Sequence, residues 1–492
     1  MRYIEIMLLL ANLLTFIALA VPLPIAVSWM RHCAPITLLI AFVQLLVEGS
    51  RWQMVPAYVL AALFFVIWLL RIVAVAGKPA RIGLAAGLVV VGLAVSIILP
   101  VALPVFRFPN PGGPYKIGTA TYNWVDASRQ EAFSADPSAR RELMAQIWYP
   151  AKKDSSSSRA PYIQDSDVVA PALAQLHNFP DFSLKYLKYV TTNAAESVPV
   201  ADDKPSYPVL IFLEGLTGYR QMNTYQVEEL VSHGYIVVGI DQPGVAASVF
   251  FPDRHQIAGL SKTQMDPQMQ QSDSPEKAPL LNGQAFKDGI IPYFAQDVSF
   301  TLDQLASINN TDPNNILTRK LDLQRTGMFG VSSGGIVGAE SCLKEPRLKA
   351  CLVMDVFMTA DVVQKGLQQP GMWITRDADT MRLEREKAGG WTEMDIKQTQ
   401  TTMRAVYNSL PGDGYFVQVP GMFHIDLTDL TYLSPIFPEI GFGGPIGAQR
   451  AHDIINAYSV AFFDRHLLGQ PAVFLDRQAE QYPEVIFEMR RP

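Results

Sequence analysis

Gly330-Val331-Ser332-Ser333-Gly334 fits G-x-S-x-G, a spacing that makes a turn tight enough to need small flanking residues and lifts the central hydroxyl above a sheet. A serine hydroxyl is a poor nucleophile until a base takes its proton, so Ser332 requires a histidine. In a strand-turn-helix setting the partners follow in the order Ser, acid, His. Only His424, His452 and His466 lie beyond Ser332. The last two fall inside a helical pattern, where an exposed or capping role is expected. His424 sits in Gly421-Met-Phe-His-Ile, straight after a strand ending at Val419, and is the predicted base. The acid must fix the imidazole tautomer and stabilise the imidazolium. Asp355, at the end of the strand after the nucleophile helix, is the choice; Asp361, Asp426 and Asp429 are its rivals. A tetrahedral intermediate also needs backbone N–H donors at its oxyanion. Ser333 and Leu216, the latter in Glu214-Gly-Leu-Thr-Gly218, are expected to supply them.

This chemistry requires a strand before the motif and a helix after it. Thr326–Phe329 and Ile336–Leu343 have those patterns. The alternative for the motif is a plain glycine-rich turn. Pro208–Leu213 and Tyr235–Ile240 are short, wholly apolar runs of the kind buried on both faces of a parallel sheet. Leu143–Tyr149, Ala350–Met354, Met372–Thr375 and Tyr415–Val419 read as further strands. Tyr225–His233, Asp297–Ile308 and Arg450–Leu467 read as helices. Alternation of this kind predicts a doubly wound, mostly parallel α/β sheet. Residues 246–290 are read as a polar insertion that shapes the acyl pocket.

The chain of 492 residues has 49% hydrophobic and 17% charged residues. Its mean hydropathy of +0.14 is high for a soluble enzyme and points to membrane segments. The uncharged runs Ile6–Met30, Ala34–Val47, Met54–Leu70 and Ile82–Phe106 predict about four transmembrane helices (about 4–30, 34–50, 54–77 and 82–106), with three as the alternative. Residues 107–492 would then be the catalytic domain, joined by the Pro/Gly-rich stretch Pro109–Pro114. With four spans, Arg2, Arg51 and Arg107 fall on one side and Arg31, Arg71, Lys78 and Arg81 on the other, which puts the catalytic part outside the cytoplasm. Glu5 and Glu48 lie near segment ends, so no intramembrane acid–base pair suggests a transporter. A net charge of −6 argues against nucleic-acid binding. Three cysteines make no disulfide framework or zinc spacing, and Cys342 and Cys351 are expected as buried free thiols.

Over residues 115–470 the sequence resembles the platelet-activating-factor acetylhydrolase family, the plasma and intracellular type II phospholipases A2. The likeness rests on Gly118-Thr-Ala-Thr, Trp124-Val-Asp126, Arg129, Arg141-Glu142 and Gln146-Ile-Trp-Tyr-Pro150. It continues through Glu229-Leu-Val-Ser-His-Gly-Tyr-Ile-Val-Val238, Leu321-Asp-Leu323 and the Ser332 motif. The family places its acid on the strand after the nucleophile helix and its base in an "H-x-D-F-S-D"-like loop, which Asp355 and His424-Ile-Asp-Leu-Thr-Asp429 match. Two positions depart: the family's oxyanion-loop histidine is Glu214 here, and the histidine before the nucleophile is Val331. A carboxylate beside a developing oxyanion is unfavourable unless Glu214 points away or stays neutral. The animal members also lack the multi-helix N-terminus.

The resemblance implies an α/β-hydrolase fold and a membrane-anchored serine esterase, cleaving short or oxidised sn-2 acyl groups of phospholipids without metal or cofactor. A carboxylesterase or polyester hydrolase is the rival within this class. A non-enzymatic ligand-binding membrane module is the rival outside it, and retention of Ser332, Asp355 and His424 argues against that.

Overall fold

The computed structural model describes residues 1–20, 29–30, 32–73, 82–153, 158–270, 289–477 and 479–491. The chain forms two compact units. One comprises residues 1–106 with the excursions 182–190 and 432–436; the other comprises 107–181, 191–431 and 437–492.

Four helices form in the first unit: Tyr3–Ala20, Ala34–Val47, Val55–Val73 and Ile82–Ala102. By length and composition only two stretches, Tyr3–Ala20 and Trp52–Ile72, suffice to cross a membrane among the described residues. This corrects the expectation of about four spans. Ala34–Val47 has 14 residues, which rise only about 21 Å against a hydrocarbon core of about 30 Å. The fully described part of the last helix, Gly87–Ala102, is also too short, and it contains Pro100. Residues 21–28 and 74–81, parts of the first and third predicted spans, lie outside the described residues.

The helices meet through Leu8, Leu9, Ala41, Met54, Ala57 and Ala61, while Leu10, Leu14, Leu39, Leu46 and Leu70 are exposed. Glu5, near the start of its helix, is ion-paired. Its carboxylate accepts from Arg51 Nε and Nη2 at 2.7 and 2.8 Å and from Arg2 Nη2 at 2.7 Å. Arg51 also donates to Leu103 O at 2.7 Å, so one ion cluster ties helix ends together. The two excursions complete this unit: Trp52 Nε1 donates to Ser183 O at 3.0 Å, and the Phe106 and Tyr432 rings stack 5.7 Å apart.

Among the described residues all strands belong to the second unit. They are β1 (Lys116–Gln130), β2 (Arg140–Ala151), β3 (Arg159–Pro161), β4 (Thr191–Glu196), β5 (Tyr207–Leu213), β6 (Ile236–Asp241), β7 (Ser248–Phe250), β8 (Gln256–Ala258), β9 (Leu321–Val331), β10 (Leu348–Met354), β11 (Gly371–Thr375), β12 (Gly414–Gln418) and β13 (Ile486–Arg490). Eleven form one sheet in the order β13-β12-β11-β10-β9-β5-β6-β2-β1-β4-β3. From β12 to β6 the neighbours are parallel, and β2 and β13 join antiparallel at either end of that run. The sheet is therefore the expected doubly wound α/β-hydrolase type, extended past β2, which the Leu143–Tyr149 run predicted, by β1, β4 and β3, which no apolar run indicated.

Each central strand is buried on both faces. Val209, Ile211 and Leu213 share a core with Phe294, Val298, Ile336 and Val337 of the helices Ile290–Asn310 and Ser333–Lys344. On the other face Phe329 lies near Phe463 of the helix Ala448–Leu468, and Phe212 stacks on Phe329. Register sets Leu213 opposite Gly330, Met354 opposite Val331 and Ile374 opposite Met354, so the loops after β5, β9, β10 and β11 emerge at one sheet edge. Within the predicted polar insertion, β7 and β8 form a hairpin and Lys262–Gln270 a helix; residues 271–288 lie outside the described residues.

Candidate active site

β9 ends at Val331 and the next helix begins at Ser333, leaving Ser332 as the turn residue with φ +56° and ψ −127°. A non-glycine residue held there costs on the order of 1–3 kcal/mol, and such strain concentrates at functional sites. The flanking glycines are explained by close approach. A Cβ on Gly330 would meet Gly334 O at 2.4 Å, and one on Gly334 would meet Leu213 O at 2.2 Å. Ser332 N–H donates to Met354 O at 3.0 Å, which fixes the turn against β10.

Asp355 follows β10 and is fully buried. His424 opens a short turn after β12, and its Nδ1 lies 2.7 Å from Asp355 Oδ2. Since an ionised carboxylate only accepts, Nδ1 carries the proton and Nε2 has the free lone pair. Asp355 Oδ1 accepts from Thr375 Oγ1 at 2.7 Å and from Arg376 N–H at 3.2 Å, and Oδ2 accepts from Arg376 Nε at 2.7 Å. Burial alone would raise the Asp355 pKa, but Arg376 and His424 outweigh it and hold the carboxyl well below the usual range.

Ser332, Ser333, Gly215, Leu216 and His424 line one cavity of about 560 Å³, a size ordinary for small-molecule sites. Its apolar wall includes Met222, Met269, Ile336, Val356 and Phe357. Among the described residues neither the Leu216 nor the Ser333 N–H is taken up by a hydrogen bond, so both donors remain for an oxyanion. No hydrogen bond joins Ser332 to His424 among the described residues; such bonds are often long before substrate binds. A hydroxyl, an imidazole bonded through Nδ1 to a buried carboxylate and two unclaimed N–H groups at one cavity form the equipment of acyl transfer. Among the described residues no cluster of His, Cys, Asp or Glu is arranged to hold a metal ion.

The other candidates have different tasks. Asp361 pairs with Lys365 at 3.0 Å on the surface. Asp426 accepts from the N–H groups of Phe423 and Gly444 at 2.7 and 2.9 Å, and burial pushes its pKa up to about 6. Asp429 accepts from Thr224 N–H at 2.7 Å and from Tyr162 Oη at 3.0 Å, anchoring the His424 loop to the helix Thr224–Ser232. His452 is buried and His466 half-buried, and neither caps its helix, which corrects the expected exposed or capping role. His452 stacks on Tyr225 and its Nε2 donates to Thr428 O at 3.2 Å, while His466 Nε2 lies 3.1 Å from Tyr415 Oη. Cys342 and Cys351 are buried and free.

Glu214 is fully buried, accepts from Gln242 N–H at 3.2 Å and does not line the cavity. Burial, reinforced by Asp241, pushes its pKa well above the usual range, which favours the neutral form, and it is turned away from the cavity. The Asp126, Arg129 and Arg141 of the N-terminal motif form an ion network with Asp297 and Glu131. Gln242, next to the Glu214 contact, joins it by donating to Asp297 Oδ2 at 2.8 Å. Sequence reasoning missed Arg376, Glu384 and Trp391. The only signal was the position of Arg376 directly after an apolar strand.

The sheet order, strained turn and cavity define an α/β hydrolase, and the comparisons with known proteins agree. The family model of platelet-activating factor acetylhydrolase, isoform II, matches residues 102–478. The platelet-activating factor acetylhydrolase of Gallus gallus is 21% identical over 383 residues, spanning 74% of this chain and 84% of that protein. A probable 1-alkyl-2-acetylglycerophosphocholine esterase of Arthroderma benhamiae is 24% identical over 416 residues, spanning 78% and 94%. Among solved structures, a ferulic acid esterase from Streptomyces cinnamoneus superposes with a TM-score of 0.60 at 26% identity, covering 78% of this chain and 99% of that one. The chain is a serine ester hydrolase. It belongs to the platelet-activating factor acetylhydrolase isoform II family.

Proposed function

We propose that this chain hydrolyses short or oxidised sn-2 acyl esters of phospholipids through an acyl-enzyme on Ser332. Ser332 Oγ attacks the ester carbonyl as His424 Nε2 takes its proton, and Asp355 stabilises the imidazolium. The Leu216 and Ser333 N–H groups hold the oxyanion. Collapse expels the lysophospholipid alcohol, protonated by His424, and water then releases the acyl group by the same route. The carrying observation is the cavity shared by Ser332, an Asp355-bonded His424 and two unclaimed N–H groups. The names of the relatives support the phospholipid substrate. Residues 107–492 would be the catalytic domain, and residues 1–106 an integral anchor holding it at the membrane on the extracytoplasmic side. The exposed leucines of the apolar helices support that anchor. A second reading, a carboxylesterase or polyester hydrolase, is favoured by the structural likeness to the ferulic acid esterase.

The test is hydrolysis of para-nitrophenyl esters of two to twelve carbons and of a 2-acetyl phospholipid, by wild type and Ser332→Ala. Cleavage of short esters and phospholipid, falling at least about 10³-fold in the variant, is expected. Cleavage of simple esters alone would move the substrate to the second reading. Equal rates in both proteins would remove Ser332 from the mechanism.

A further inference from the structure

Arg376 is fully buried directly after β11, and its guanidinium reaches two carboxylates. Nε donates to Asp355 Oδ2 at 2.7 Å, and Nη1 pairs with Glu384 Oε2. That same Glu384 oxygen accepts the main-chain N–H of His424 at 3.0 Å. Trp391 closes the group: its ring lies 4.8 Å from the guanidinium carbon and 5.3 Å, edge-on, from the His424 ring. The imidazole of His424 is thus held by one partner of Arg376 and its backbone by the other.

We propose that Arg376 is a positioning residue that holds the Asp355–His424 couple from both sides and, by its charge, extends activity toward lower pH. The proposal rests on the assignment of Ser332, His424 and Asp355 made above. Asp355 Oδ2 is shared between His424 Nδ1–H and Arg376 Nε–H. A permanent cation there offsets part of the field that the Asp355 carboxylate presents to His424. Only a guanidinium has donors on two edges to reach both acids at once.

Other charged or titratable groups also line the cavity or share the turn of His424. Lys262 and Asp266 line the cavity from the helix Lys262–Gln270, Asp395 from the helix Glu393–Ser409, and His177 from the end of the helix Ser166–Leu176. Asp395 caps its own helix through Thr392, and Asp426, on the turn of His424, is taken up by Phe423 and Gly444. Among the described residues, Arg376 and Glu384 are the charged groups that bond to the couple.

The test compares the full-length wild type with Arg376→Gln, Arg376→Lys and Glu384→Gln on para-nitrophenyl acetate from pH 5 to 9, with Ser332→Ala as reference. Arg376→Gln is expected to move the acidic limb of kcat/KM up by about one pH unit. Its kcat at the optimum should fall about 10-fold with KM within about twofold, as misplacement of the base predicts. Arg376→Lys keeps the charge but not the fork, so the limb should return toward wild type while kcat recovers only in part. Glu384→Gln should lower kcat without raising the limb. A wild-type kcat and limb in Arg376→Gln would overturn the proposal. Where that variant fails to fold, wild-type values in both Arg376→Lys and Glu384→Gln overturn it. Full activity in Ser332→Ala would instead remove the mechanism beneath it, and the proposal with it.

Discussion

Two buried guanidiniums in the sheet unit each bridge two carboxylates, yet their settings differ. Arg141 binds Glu131 at 3.1 Å, Asp297 at 2.5 Å and Pro243 O at 3.1 Å, and neither it nor its acids line the cavity. Arg376 binds Asp355 and Glu384, and both acids pass on to His424. Burying such ions costs several kcal/mol in desolvation, which the pairing has to offset in either place. The first network closes on itself and ties β1, β2 and the helix Ile290–Asn310 together. The second ends on a group that substrate can reach. Identical chemistry is a scaffold in one position and an adjustable part in the other.

The sharpest way to break this contrast is Arg141→Met. Glu131 would be left buried without its cation and Asp297 with Arg129 alone, with a loss of about 3–5 kcal/mol read from the denaturation midpoint. The folded fraction should keep the wild-type kcat and acidic limb. A limb shift as large as that of Arg376→Gln would erase the distinction.

The two histidines of the same loop region extend the comparison. His424 is reachable from the cavity, whereas His452 is buried and neutral, burial pushing its pKa down to about 3 despite the Thr428 carbonyl. An unfolded chain protonates this group near 6.5, so its stabilising share is complete above that pH and declines as the pH falls toward the folded value. At pH 5 the loss is ~2 kcal/mol. In His452→Gln that component is gone, and the Tm gap to wild type should narrow between pH 8 and 5. A gap independent of pH would show that His452 does not titrate on unfolding.

The smallest effect is expected at Glu214. Because burial favours its neutral form and it is turned away from the cavity, Glu214→Gln should leave kcat at pH 7.5 within about threefold, the cost of altering one neutral hydrogen bond. A tenfold change would mean that an ionised Glu214 acts on the oxyanion loop.

What the sequence made legible follows from burial. Strands covered on both faces are continuous apolar runs, so β5, β6 and β10 stand out, and with them the loops that carry Leu216 and Asp355, while Ser332 after β9 was marked by its G-x-S-x-G motif. The outer half of β1 alternates buried and exposed residues and includes Asp126 and Arg129, so no apolar run marked its 15 residues as a strand. Arg376 and Glu384 were invisible for another reason. They meet Asp355 and His424 only because parallel register brings separate strand ends to one edge, and no local pattern encodes that. In the helical unit, apolar runs located four helices but overstated how many can span, because absence of charge sets no lower limit on helix length.

The excursions Phe182–Val190 and Tyr432–Ile436 give the helical unit a timing constraint. Its N-terminal helices leave the ribosome first, yet Phe106 receives its stacking partner Tyr432 only after more than 300 further residues have been made. At about 5–20 residues per second that interval is roughly 15–65 s. A unit begun before the sheet is therefore completed only once most of the sheet has been made, and the segment that finishes it begins a few residues after His424.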